Sequence, residues 1–186
     1  MHIKPRLAAM AADVSAAELD YVQIDRALVE QAVEALDHAK KACLKVVTAE
    51  SCTGGLIATV LSEAPGAAEH LDGGFVTYTS EQKCAALNLD EKLIYKFGPV
   101  SAEVAEAMAR GALDCSQADV AVSVTGVAGP DPDERGNPVG LIYLACARRG
   151  GKCIGVKREF GDIGRSRIRY EAAAEALDLI AAAAKV

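Results

Sequence analysis

From Asp25 the apolar positions fall at helical spacing, with Leu28, Ala32, Ala35, Leu36 and Ala39 set against Glu30, Gln31, Glu34 and Lys41. This spacing predicts a helix ending near Cys43, then a short buried strand over Leu44–Thr48. A turn at Glu50–Gly55 leads into a second helix, Leu56–Leu61, which stops before the breaker pair Pro65-Gly66. Gly73-Gly74 opens a strand running to Tyr78, and Ser80 is the expected N-cap of a helix over Glu81–Leu87. Asp90 caps a further short helix to Phe97. Ser101 caps another, with Glu103 in its first turn where the helix dipole favours a carboxylate, and with Val104, Met108 and Ala112 as its buried stripe. Asp119–Thr125 is the strongest strand and ends at Gly126. After a polar loop over Ala128–Pro138, two strands (Val139–Ala147 and Lys152–Phe160) join at Arg149-Gly150-Gly151 as a hairpin. A helix over Ile163–Ala184 closes the chain.

Helices alternate with strands in the first two-thirds, and a hairpin completes the sheet. The fold expected is α/β: one three-layer α/β/α domain over residues 24–186, with a mixed, mainly parallel sheet and a C-terminal β-hairpin. Residues 1–23 are Ala-rich, lack periodicity and read as an N-terminal extension with one short helix around Ala16–Val22.

Composition narrows the function classes. The 186 residues suit a single core, and the absence of Trp leaves that core to Val, Ile, Leu and Ala. A formal charge of −6 argues against a nucleic-acid surface, which needs a basic stripe. It leaves open a small anionic ligand held by one cation or a helix N-terminus. The six cysteines form no CxxC pair and no zinc spacing, so neither a metal nor a cofactor is expected. Cys43, Cys115 and Cys146 sit in apolar sequence and are expected to pack as reduced thiols. No apolar run has the length of a secretory core or a membrane span, so the chain is expected in the cytoplasm with no membrane partner.

The candidate chemistry lies in Thr48-Ala49-Glu50-Ser51-Cys52-Thr53-Gly54-Gly55. A strand entering a helix through a glycine pair exposes backbone N–H groups that can bind phosphate or stabilise an oxyanion. Ser51 is the candidate nucleophile, with Cys52 the alternative; equally, Ser51 or Thr53 serves only as a helix cap. The segment is neither a Gly-x-Ser-x-Gly elbow nor a phosphate loop, lacking the flanking glycines and the Gly-Lys-Ser/Thr. His2, His38 and His70 fall in the extension, the first helix and a loop, which leaves Lys, Tyr or a carboxylate to activate a serine.

Thr48–Gly55, Val76-Thr77-Tyr78 with Lys83, Val100-Ser101, Val124-Thr125-Gly126-Val127-Ala128-Gly129-Pro130 and Pro138-Val139-Gly140 resemble the CinA C-terminal domain family. The resemblance runs in order from about residue 28 to 182. Its enzymatic members are nicotinamide-nucleotide amidases, so it implies metal-free hydrolysis of the carboxamide of nicotinamide mononucleotide to nicotinate mononucleotide and ammonia. It implies Ser51 as nucleophile, Lys83 as general base and Tyr78 positioning Lys83 or relaying a proton. Glu50, Cys52, Thr53, Gly54, Gly55, Thr125, Gly126, Gly129 and Arg169 become the expected substrate-binding residues, with Arg165 a further candidate for phosphate. The partner expected is this mononucleotide, and apolar stripes on the 101–115 and 163–184 helices suit a homo-oligomer. Asn137 stands where family members carry Lys before Pro-Val-Gly, and Arg135 is the candidate to replace it. The alternative reading is a non-catalytic nucleotide-binding or competence-associated accessory domain of the same fold.

Overall fold

A computed structural model describes residues 24–185; the extension over 1–23, with its expected short helix, lies outside the described residues. In chain order the elements are α1 (Arg26–Lys41), β1 (Val46–Glu50), α2 (Leu56–Ser62), α3 (Ala67–His70), β2 (Leu71–Val76), α4 (Ser80–Leu87), α5 (Glu91–Phe97), α6 (Ala102–Asp114), β3 (Val120–Gly126), β4 (Leu141–Arg148), β5 (Cys153–Glu159) and α7 (Arg165–Ala184). The five strands form one sheet in the order β2-β1-β3-β4-β5. β1 pairs in parallel with both β2 and β3, while β4 and β5 continue antiparallel as a hairpin.

The two faces of the sheet follow from the alternation of side chains along the strands. Val46, Val120, Val122, Val124, Ile142 and Leu144 point to one side, where they pack with Leu28, Leu36, Ile57, Ile168, Leu177 and Ile180 of α1, α2 and α7. Val47, Ala49, Ala121, Ala145 and Ala147 point to the other, under Val104, Met108 and Ala112 of α6 with Leu87 and Ile94. Covering both faces makes β1 and most of β3 continuously buried, which is why they read as unbroken apolar runs.

The elements lie close to their expected bounds, and the differences have local causes. The first strand begins two residues later than its apolar start. Leu44 N–H still closes the end of α1 on the Ala39 carbonyl at 2.8 Å, and Lys45 N–H donates to the Asp119 carboxylate at 2.8 Å. Those bonds occupy the backbone that would otherwise join the ladder. Ser80 is the first residue of α4, not its cap; the Thr79 hydroxyl accepts from Gln82 N–H at 3.2 Å. Asp90 and Ser101 cap α5 and α6 as expected. Tyr78 lies beyond the end of β2, and the four-residue α3 had no periodicity long enough to announce it. Cys43 and Cys115 are exposed, so only Cys146 of the three expected apolar thiols is buried. Among the described residues no helix is long and apolar enough to cross a membrane.

Candidate active site

The three parallel strands deliver their C-terminal ends to one place, where open α/β sheets assemble ligand loops. Ser51 follows β1, Thr77 and Tyr78 follow β2, and Thr125-Gly126 ends β3. Ser51 N–H donates to the Val124 carbonyl at 3.0 Å, and Thr77 N–H donates to the Glu50 carbonyl at 2.8 Å. The sheet hydrogen bonding thus continues one residue past each strand and fixes the loops against each other. Gly126 has no room for a side chain, since a Cβ there would meet the Leu141 carbonyl oxygen at 2.6 Å and the Ile142 backbone at 2.9 Å.

Lys83, on the first turns of α4, is only 1% exposed. Its Nζ lies 3.0 Å from Ser51 Oγ and donates to the Thr77 carbonyl at 2.9 Å. Burial disfavours the ammonium and lowers the Lys83 pKa from 10.5 to about 8. A substantial neutral fraction is therefore present near physiological pH, and neutral Nζ can accept the Ser51 proton along the same 3.0 Å line. Burial acts in the opposite sense on Cys52 and pushes its thiol up to about 12. So little thiolate leaves Cys52 poorly suited to nucleophilic attack, whereas the Ser51 hydroxyl lies against the Lys83 amine. A Cys52→Ala enzyme is expected to keep its turnover within about threefold of the parent, measured as steady-state kcat, because no reacting proton leaves this thiol.

The donors at the turn are distributed differently from the sequence expectation. Gly54 N–H donates to the Ser51 carbonyl at 3.0 Å and Gly55 N–H to Glu50 Oε2 at 3.0 Å. Among the described residues, Cys52 and Thr53 N–H have no protein acceptor, and of the two only Cys52 lines the cavity over Ser51, Thr53 being fully buried. Glu50, expected to bind substrate, is fully buried and accepts from Gly55, Ile57 and Ala58 N–H and from the Thr48 hydroxyl. Its oxygens are occupied by the protein, so it has no free face for a ligand. Gly54 and Gly55 serve the turn through positive φ values of 62° and 92°.

A cavity of about 230 Å³ opens over Ser51 and Lys83. Cys52, Tyr78, Thr125, Gly126 and Gly129 also line it, whereas Glu50, Thr53, Gly54, Gly55 and Arg169 do not. The Thr125 hydroxyl donates to the Pro99 carbonyl at 2.7 Å, which holds β3 to the loop before α6. Tyr78 makes no hydrogen bond to Lys83; its hydroxyl accepts from Arg165 at 3.0 Å at the cavity rim. Arg165 also donates to the Gly129 carbonyl, joining α7 to both loops. Arg169, one turn further along, instead donates to the Thr53 carbonyl at 2.7 Å and so clamps the Ser51 turn from behind. The two arginines share a helix but divide into a rim cation and a structural clamp.

Sequence reasoning passed over the Thr77 carbonyl, which only the backbone path discloses, and Asp131 and Asp133, which line the cavity from the polar loop. Asp133 accepts from Asn137 N–H at 2.8 Å and Asn137 Nδ2 at 2.7 Å, so Asn137 organises the loop. Arg135 donates to the Tyr95 carbonyl at 2.8 Å and lines an adjoining cavity of about 810 Å³ beside α4 and α5, not the one over Ser51. It therefore does not stand in over Ser51 for the family's lysine. Among the described residues no group of three or more His, Cys, Asp or Glu side chains could hold a metal ion.

A serine hydroxyl against a buried lysine amine, at the carboxyl ends of parallel strands, defines an α/β protein with a Ser–Lys pair. A family model described as the CinA C-terminal domain matches residues 26–184, and the chain belongs to that family. A protein of Pseudomonas putida named nicotinamide-nucleotide amidohydrolase PncC is 42% identical over 142 residues, covering 76% of this chain and 88% of the relative. A CinA-like protein of Desulfotalea psychrophila is 42% identical over 137 residues. The chain spans only about a third of the length of such longer relatives, 33% in this case. The crystal structure of the competence/damage inducible protein CihA from Agrobacterium tumefaciens matches with a TM-score of 0.83 and 40% identity, covering 87% of this chain and 98% of that one.

Proposed function

We propose that the chain is an amidohydrolase that deamidates nicotinamide mononucleotide to nicotinate mononucleotide and ammonia. The observation that carries this reading is the 3.0 Å approach of Lys83 Nζ to Ser51 Oγ in a buried site. The amidohydrolase name of the Pseudomonas putida relative supports the substrate class. Neutral Lys83 takes the Ser51 proton as Oγ attacks the carboxamide carbon. The resulting oxyanion accepts from Cys52 N–H. Lys83 then returns its proton to the departing nitrogen, the C–N bond breaks, and ammonia leaves an ester on Ser51. Water, deprotonated by Lys83, attacks that ester and releases the carboxylate product and the Ser51 hydroxyl.

The test is ammonia release from nicotinamide mononucleotide by the purified chain. Turnover above a no-enzyme control is expected; its absence, with the fold intact, would remove this substrate. Arg165 at the rim is the cation suited to the substrate phosphate. Arg165→Ala is expected to raise KM at least tenfold with a smaller change in kcat, as loss of uniform binding does. An unchanged KM would assign the phosphate elsewhere.

A further inference from the structure

We propose that Glu50 is a positioning residue for this hydrolysis, holding the oxyanion-binding amide of Cys52 in place without touching substrate. The proposal rests on the amidase reading of Ser51 and Lys83. Glu50 ends β1, and its side chain turns back beneath the loop that follows. Oε2 accepts from Gly55 N–H at 3.0 Å and Ile57 N–H at 3.1 Å. Oε1 accepts from Ala58 N–H at 2.8 Å and the Thr48 hydroxyl at 3.1 Å.

A helix start ordinarily offers several free amides and a partial positive charge to any anion that approaches. Here a carboxylate of the chain itself occupies them. Leu56 N–H is used as well, donating to the Thr53 carbonyl at 3.3 Å. The start of α2 therefore has no amide left for a phosphate. The residues before it form a short arch held at its far end by Glu50 and at Thr53 by Arg169. Among the described residues, the Cys52 and Thr53 amides on this arch have no protein acceptor; Thr53 is fully buried, so the Cys52 amide, directly after the nucleophile, is the one that faces the cavity. Glu50 thus leaves the Cys52 amide as the available donor and sets how firmly it is aimed. Aim matters because an oxyanion donor acts by being oriented before charge develops.

The experiment compares Glu50→Gln with the parent in steady-state ammonia release, alongside thermal melting. The glutamine amide nitrogen donates where a carboxylate oxygen accepted, so at least one backbone amide loses its acceptor. We expect kcat to fall about 100-fold, the scale of losing one oriented oxyanion donor, with KM within threefold. If Glu50→Gln does not fold, Thr48→Val removes a single bond to the same carboxylate, and kcat is expected to fall about threefold to tenfold with KM unchanged. A kcat within threefold of the parent for Glu50→Gln, or an unaltered kcat for a folded Thr48→Val where that fallback is needed, overturns the proposal. So does a rise in KM at constant kcat, which would make Glu50 a substrate ligand. An active parent with insensitive variants defeats this proposal alone, whereas an inactive parent defeats the amidase reading beneath it.

Discussion

Ser51→Ala is expected to lower ammonia release from nicotinamide mononucleotide by more than about a thousandfold, because the proposed ester intermediate forms on Ser51 Oγ. The fold should be indifferent to the change. Ser51 Oγ makes one bond, to Lys83, and the backbone bond from Ser51 N–H to Val124 survives substitution. Residual rate, if measurable, would come from the Cys52 amide acting on water attack. Chelating agents should leave the parent rate unaltered, in keeping with the metal-free chemistry that the family resemblance implies. A Ser51→Ala enzyme within tenfold of the parent would move the nucleophile to another residue.

Lys83→Met is expected to separate activity from stability. Turnover should fall at least a thousandfold, since Ser51 loses its only contacting amine. The protein should nevertheless become harder to unfold at neutral pH. Lys83 titrates at about 8 in the folded chain and near 10.5 when exposed, so the unfolded chain binds more protons between those values. Stability contributed through this group therefore rises as pH is raised from about 8 towards 10.5, and at pH 7 the folded state bears the full cost of the buried ammonium. Methionine keeps the volume without the charge. Allowing for the lost bond to the Thr77 carbonyl, the net gain at pH 7 is about 1–2 kcal/mol, visible as a higher Tm. The gain should shrink as pH approaches 10. A lower Tm for Lys83→Met at pH 7 would mean that its hydrogen bonds outweigh desolvation.

Much of this architecture was legible before any coordinate. Buried strands declare themselves as apolar runs, and Asp90 and Ser101 cap the helices that their positions announce. The Ser51 turn was legible as a place where a strand meets a glycine-opened helix. Its internal wiring was not. Nothing in Ala49-Glu50-Ser51 says that the glutamate folds back on the next helix, because the acceptors and donors of that bond set meet only after β1 and α2 pack. Arg165 and Arg169 look equivalent at a spacing of one helical turn, yet that rise brings one to Gly129 and Tyr78 and the other to Thr53. Tyr78 similarly shares a segment with Lys83, but α4 carries the lysine inward while the tyrosine stays 57% exposed. The pairing of Lys83 with Ser51 joins residues 32 apart in the chain. The residues alone call only for some amine, phenol or carboxylate near the serine; the family resemblance singles out Lys83.

The pH dependence of kcat/KM for ammonia release tests the Ser51–Lys83 pairing most directly. The substrate phosphate is fully ionised above pH 7, its second pKa being about 6, so the enzyme's own base dominates the profile there. The rate should rise with pH, reach half its maximum near the Lys83 value of about 8, and level off above it. A profile that is flat from pH 7 to 10, or one that falls as pH increases, would contradict a neutral Lys83 acting on Ser51.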